Sequence, residues 1–317
     1  NITGGTFTIN SGNDGIQAVT NLNIKAGTYN IKTTGSINSD SDSAKGLKAN
    51  TLITIDGGTY IINSTDDAVH SNENIIVNNG EFTINTKDDG FHADNTLTIN
   101  NGTINIESCY EGFEGSKVYI KGGNNNISAS DDGINAASSD SSATSNHSMN
   151  GRDNFKNSTG TLEISGGITK VISAGDGLDS NGTITISGGT TYVESSNNGP
   201  EEAIDHVGAL NITGGTLIAI SNNLAMDDGV KTSSVPYVNT SLNSSGKISI
   251  GNISYTPTIS SYKYIFIASS SLSTGSNTLT CGSSSTSVTL ATGTVNSIGN
   301  NQMSGFNDQN RGGPGRR

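Results

Sequence analysis

The sequence predicts an all-β chain wound as a single-stranded parallel β-helix with a C-terminal β cap, and three observations carry that expectation. A phrase of one or two acids, a small residue, an apolar residue and a polar one recurs, with its small residue at Ala68, Gly90, Gly112 and Gly133, about 22 residues apart. A second phrase recurs between copies of the first, as in Gly57-Gly58-Thr59-Tyr60, Asn79-Gly80-Glu81-Phe82 and Gly188-Gly189-Thr190. Runs such as Thr96–Ile99, Thr183–Ile186 and Leu210–Thr213 alternate apolar with polar, as half-buried strands do.

Each repeat therefore reads strand, corner, strand, corner. Gly and Asn tolerate positive φ, so the glycine phrase is a tight corner and the acidic phrase lies at a second one. Antiparallel hairpins also use such turns, but a regular period holding two or three short strands suits one coil of a β-helix. At ~3.3 Å per strand residue its perimeter is ~70 Å, with coils ~4.8 Å apart. Nine or so coils make a rod, inside which Ile16, Leu47, Val69, Phe91, Phe113, Ile134, Leu178, Ile204 and Val230 stack as one core row. Tyr29, Tyr60 and Phe82 share another repeat position and are expected in the core.

Three departures shape the rod. The interval from Gly15 to Gly46 is 31 residues, so a loop around Ser36 to Ser43 bulges outward. The interval from Gly133 to Gly177 is 44, and Ser138 to Ser158 fills it without strand alternation, which predicts a protruding loop that carries function. Beyond Pro236 the acidic phrase ends while strand-like runs continue at Lys247 to Ser254, Tyr262 to Ala268 and Ser287 to Leu290. The expected organisation is a helix over 1–235, a capping region over 236–306 that covers the last coil's edge, and a mobile basic tail over 307–317.

The chain has 317 residues, 31% of them hydrophobic and 14% charged, with 41 glycines, totals that alone would suit disorder. Its periodicity argues for one elongated domain instead. A net charge of −12 disfavours nucleic acid and anionic membranes as partners. Cys109 and Cys281 lie outside any CxxC pattern, so neither a zinc framework nor a disulfide scaffold is indicated. No apolar run approaches the roughly 20 residues of a membrane span. The opening Asn1–Gly5 already sits inside a repeat, which suggests a mature fragment whose signal and first coils were removed.

Of the 28 acids, 16 belong to the recurring phrase: Asp14, Asp66, Asp67, Asp88, Asp89, Glu111, Glu114, Asp131, Asp132, Asp176, Asp179, Glu201, Glu202, Asp205, Asp227 and Asp228. Stacking coils stacks these charges. Two of them ~4.8 Å apart repel by ~0.9 kcal/mol in bulk water and by ~3.5 kcal/mol at an effective dielectric near 20. Something positive is expected there. Hard oxygen donors in excess favour Ca²⁺, and adjacent coils can supply its six to eight ligands. These acids other than Asp14, together with Asn135, are the candidate metal ligands. They match neither the twelve-residue EF-hand loop nor the nine-residue calcium β-roll.

His70 and His92 fall one coil apart, so with Asp67 and Asp89 they make a candidate transition-metal pair, or else a stacked surface pair that tempers the acids. His147 and His206 are isolated. No Ser-His-Asp order can be read, and no catalytic nucleophile is assigned.

The phrases Lys45-Gly46-Leu47-Lys48-Ala49, Asp66–Ser71, Asp88–Asp94, Ser108–Gly115 and Asp131–Ala136 resemble those of secreted bacterial carbohydrate-binding proteins with a polysaccharide-lyase-like fold. The resemblance covers residues 1–235. It implies a right-handed helix, calcium at the acidic turns, and attachment to plant cell-wall cellulose or pectin (polygalacturonate) outside the cell or at the bacterial surface.

Two functions then compete. A calcium-dependent pectate lyase would need a lysine or arginine to abstract a proton before β-elimination, and Lys45, Lys48, Lys87 and Lys231 lie nearest the acids. A non-catalytic module would instead grip the glycan through calcium and polar rows, and this is the reading adopted. A purely structural spacer or adhesin is a third class. The absence of Trp weakens the flat aromatic platform usual for crystalline cellulose.

Overall fold

The computed structural model describes residues 1–35, 43–137, 159–196, 201–222 and 229–296. These form a parallel β-solenoid of about nine turns. Most turns carry a long strand, a three-residue strand and a four-residue strand, the last two fused in Phe91–Ile99 and Phe113–Ile120, and each pairs in parallel with its equivalents in the neighbouring turns.

The long-strand face begins at Thr6–Ser11 and continues through Thr28–Thr33, Thr59–Ser64 and Glu81–Thr86 to Thr216–Ser221. Register is in phase with the repeat, so Thr59, Tyr60 and Ile62 sit beside Glu81, Phe82 and Ile84. Alternation then sends the same side chain of every turn inward. Phe7, Tyr29, Tyr60 and Phe82 stack nearly parallel at centroid spacings of 5.1, 4.7 and 4.5 Å. Two of these rings are tyrosines because their hydroxyls have a partner inside: Tyr29 donates to Ala26 O and Tyr60 to Gly57 O, both at 2.8 Å.

The short strands carry the second core row. Leu47, Val69, Phe91, Phe113, Ile134, Leu178 and Ile204 pair in unbroken succession and are fully buried, each contributing ~1.5–3 kcal/mol relative to exposure. Ile16 starts the row half-buried at the first turn.

Val230 does not belong to this row, contrary to expectation: it is 63% exposed and pairs with Ala209. The chain re-enters on the four-residue face, where alternation turns Val230 outward and Lys231 and Ser233 inward.

The two corners solve different problems. At the glycine corner the backbone is left-handed, with φ of 114° at Gly58 and 72° at Gly189, values that exclude most side chains. At the acidic corner Gly229, where the chain leaves the short-strand row, has a φ of 61°, but Gly46, Gly90, Gly112, Gly133 and Gly177 have no positive φ. There the constraint is space: a Cβ on Gly112 would lie 2.4 Å from Gly133 O and 2.3 Å from an Ile127 methyl. Ala68 and Ala203 fill the same position in their own turns.

The two long intervals add no extra turn. Ile16 pairs directly with Leu47, and Ile134 with Leu178. The expected loops at 36–43 and 138–158 lie outside the described residues except Ser43, as does the tail 307–317. One long strand, Val230–Ser244, runs from parallel pairing with Ala209–Ile212 into antiparallel pairing with Tyr262–Ser269. Tyr262–Ser269 also pairs antiparallel with Thr216–Ser221 and closes its edge. A separate apolar cluster including Ile218, Ile220, Ile248, Ile265, Ile267 and Leu279 packs this cap. Buried Glu194 fixes a cap segment, accepting from Thr258 N, Ile259 N and the Tyr255 hydroxyl. Cys109 and Cys281 are buried and free.

Candidate functional site

The acidic corners stack between the long and short strands and build two parallel rows. The inner row is the residue just before each small residue: Asp14, Lys45, Asp67, Asp89, Glu111, Asp132, Asp176 and Glu202. The outer row lies three residues later, in strict register: Gln17, Lys48, His70, His92, Glu114, Asn135, Asp179 and Asp205.

A structural role for the inner row is immediate. Asp14 Oδ1 accepts from Lys45 N at 3.0 Å, Asp67 Oδ1 from Asp89 N at 3.1 Å, Asp89 Oδ1 from Glu111 N at 3.1 Å, and Asp132 Oδ1 from Asp176 N at 2.7 Å. Asp176 Oδ1 likewise accepts from Glu202 N. Each carboxylate thus satisfies a turn amide of the next coil, a need that accounts for an acid there whether or not a metal binds. The ladder is also more enclosed than an open acidic edge: Asp67 is 2% and Glu202 3% exposed.

Charge divides the ladder into two halves. In the first, Lys45 Nζ reaches Asp66 Oδ1 at 2.6 Å and Asp67 Oδ2 at 2.7 Å, and Lys48 Nζ lies 3.5 Å from Asp14. His70 Nδ1 is 2.8 Å from Asp67 Oδ2. His92 Nδ1 lies 2.7 Å from Glu114 Oε2 and 3.1 Å from Asp89 Oδ2, while its Nε2 is 3.2 Å from Asp94 Oδ1. Burial alone would raise the Asp67 carboxyl, but the His70 hydrogen bond and the Lys45 ammonium outweigh it and hold it below the usual range. Burial pushes Asp89 well up, with the charges of Asp67 and Glu114 adding and the His92 bond opposing.

In the second half the electrostatics reverse. Burial, then the neighbouring Asp131, pushes Asp132 up to about 7. Burial and Asp132 push Asp176 up to about 10. Asp179 is raised well above the carboxylate range by burial, Asp132 and Asp205. Among the described residues, Asp132, Asp176 and Asp179 form no ion pair with a lysine, arginine or histidine. Asn135 stands at the divide, its Nδ2 donating to Glu111 Oε2 at 3.1 Å.

The sequence-predicted ligands therefore separate. Asp66, Asp67, Asp88, Asp89, Glu111 and Glu114 join the cation-bearing half, with Asn135 at its border. Asp131, Asp132, Asp176, Asp179, Glu201, Glu202 and Asp205 form the acidic half, and Asp227 and Asp228 lie outside the described residues. Three sets bring candidate ligand atoms within 4.8 Å of one another: Asp67 with His70 and His92, Asp89 with His92 and Glu114, and Asp66 with Asp67 and Asp88. Asp94 was not singled out from sequence. Its signal was the period of two, which places it on the same strand face as His92.

A β-solenoid bearing a carboxylate-rich ladder along one corner offers an extended polar face rather than an enclosed pocket for a small molecule. The family described as "carbohydrate-binding domain-containing protein" matches residues 1–90 and 92–199, and the chain belongs to it. No curated protein and no solved structure matches the chain.

Proposed function

We propose that this β-helix binds plant cell-wall polysaccharide without cleaving it, and that its preferred glycan is pectic polygalacturonate bridged through Ca²⁺ to the acidic half of the ladder. The observation that carries this reading is the run Asp132, Asp176 and Asp179, whose carboxyls are raised by burial and by neighbouring carboxylates and form no ion pair with a cationic side chain among the described residues. A divalent cation relieves that repulsion, and the all-oxygen donor set fits calcium. Asp132, Asp176, Asp179, Glu201 and Asp205 would hold it, leaving coordination positions for uronate oxygens. Extracellular calcium modules work at ~10⁻⁴–10⁻³ M, which suits action outside the cell.

Cellulose is the less favoured glycan. Tyr29, Tyr60 and Phe82 are buried in the interior stack, and Tyr255 of the cap strand Ile253–Tyr255 is half-buried with its ring face stacked on Tyr192 at 4.2 Å. None of these rings supplies a flat external platform.

Non-catalytic action is supported by the state of Lys45. Burial would lower its value, but Asp67 and Asp66 outweigh that and hold it as an ammonium, the wrong form for a base. Lys48 is engaged by Asp14 and Ser43.

The test incubates the protein with polygalacturonate and Ca²⁺, following unsaturated uronide by ultraviolet absorbance and protein by co-sedimentation, beside a chelated control. Calcium-dependent retention with a flat absorbance trace is expected. A calcium-dependent rise in absorbance would establish a lyase, and absence of retention would remove the pectin reading.

A further inference from the structure

His92 is held in an arrangement that glycan binding does not require. Its Nε2 faces Asp94 Oδ1 at 3.2 Å, an acceptor that fixes the proton on Nε2. The neighbouring turn repeats this, with His70 Nε2 3.0 Å from Asn72 Oδ1. Against burial, the Asp89, Asp94 and Glu114 carboxylates raise His92 well above its usual value, so without metal a proton on Nδ1 lies between Glu114 Oε2 at 2.7 Å and Asp89 Oδ2 at 3.1 Å. An ion that displaces that proton meets an Nδ1 lone pair and the carboxylates of two buried residues converging on one point. Three lone-pair donors facing one another repel unless a proton or a cation lies among them.

A single Nδ1–H can align with one of those oxygens but not with both. A metal ion satisfies all three. The outer acceptor on Nε2 completes the carboxylate–histidine–metal relay that orients imidazole ligands elsewhere. The mixed nitrogen and oxygen donor set suits a first-row divalent ion better than calcium, which takes oxygen alone. His92 remains part-exposed, which leaves a path for entry.

We propose that Asp89, His92 and Glu114 bind a divalent transition metal of the zinc class, with Asp94 positioning the imidazole and Asp67 and His70 flanking the site. This site is separate from the calcium proposed at Asp132 to Asp205 and does not depend on it. It places a borderline-soft ion in the half of the ladder where calcium is least needed.

The test uses the full chain, chelated and then dialysed, titrated with Zn²⁺ by calorimetry and with Co²⁺ by its visible d–d absorption, both in excess Ca²⁺. One equivalent bound per chain is expected, with proton release and a cobalt spectrum showing nitrogen ligation. His92→Ala should lose at least 100-fold in affinity and Asp94→Asn about 10-fold. Asp179→Asn should bind as the parent does. Circular dichroism monitors folding; should His92→Ala unfold, Asp94→Asn, altered at a side chain 45% exposed, decides the matter. No uptake by the parent chain, or uptake that neither His92→Ala nor Asp94→Asn weakens, would show an imidazole–carboxylate ion-pair cluster and overturn the proposal.

Discussion

The turns around Lys45 to Glu114 and those around Asp132 to Asp205 share one backbone, one register and one acidic phrase, yet they manage charge in opposite ways. The first half supplies its own cations, Lys45, Lys48 and His92, in contact with Asp66, Asp67, Asp14, Asp89 and Glu114. The second raises Asp132 and Asp176 to about 7 and 10, with no such side chain paired to them among the described residues. A repeat therefore fixes where charges stand, while single substitutions within it decide whether a turn's acids are paired with a cationic side chain or raised by one another and by burial.

The strongest test of this contrast removes the built-in cation. Lys45→Met should leave Asp66 and Asp67 buried without their ammonium and cost about 3–5 kcal/mol in chemical denaturation. Millimolar Ca²⁺ should recover part of that loss, turning the first half into a copy of the second. If Lys45→Met unfolds as the parent does, the ion pair has no part in holding the ladder together.

Next in size is the pH response of the chelated protein. A carboxyl whose folded value exceeds its unfolded value, near 3.9, binds its proton more tightly when folded. Its stabilisation is full below that pH and is lost as pH rises through the folded value. Stability without metal should thus decline from pH 5 to 9, with Asp132 titrating near 7, and melting should fall by ~5 °C. Saturating Ca²⁺ should flatten the decline.

Asn135→Asp would move the border between the halves by extending the acidic run toward Glu111. We expect a loss of about 1 kcal/mol without calcium, regained with it, read from paired melts. The smallest effect is expected of Asp176→Asn, because the amide oxygen still accepts from Glu202 N and the carboxyl it replaces, raised to about 10, is already uncharged near neutral pH without metal. Stability without metal should change by less than ~1 kcal/mol, or rise, even as the calcium response falls.

Much of this architecture is legible in the sequence because stacking makes every period a contact. The 22-residue spacing, the glycine corners and the shared position of Tyr29, Tyr60 and Phe82 all lead to in-register neighbours. The two rows of acids follow from the same periodicity. What the phrase alone does not carry is depth: the inner carboxylates turn toward the next coil's amides and become buried, a preference set by hydrogen bonding across turns rather than by polarity. Nor does it carry parity after an interruption. Val230 keeps the phrase of its predecessors, but its strand pairs with Ala209–Ile212 instead of following Ile204, so its side chain faces outward. The role of Asp94 is likewise not written in the phrase, since it lies in which nitrogen of His92 the carboxylate faces.

The most direct measurement of the central claim is co-sedimentation of the parent chain and of Asp179→Asn with polygalacturonate across a calcium titration. Asp179 sits in the outer row of the acidic half, beside Asp205, and its carboxyl accepts from the backbone of Ser180 on its own strand rather than from a turn amide of the next coil. Its replacement should therefore spare the fold. The account predicts that Asp179→Asn folds normally but needs roughly tenfold more Ca²⁺ for the same retention. Equal retention of both proteins at every calcium concentration would contradict it and move the glycan to another face of the helix.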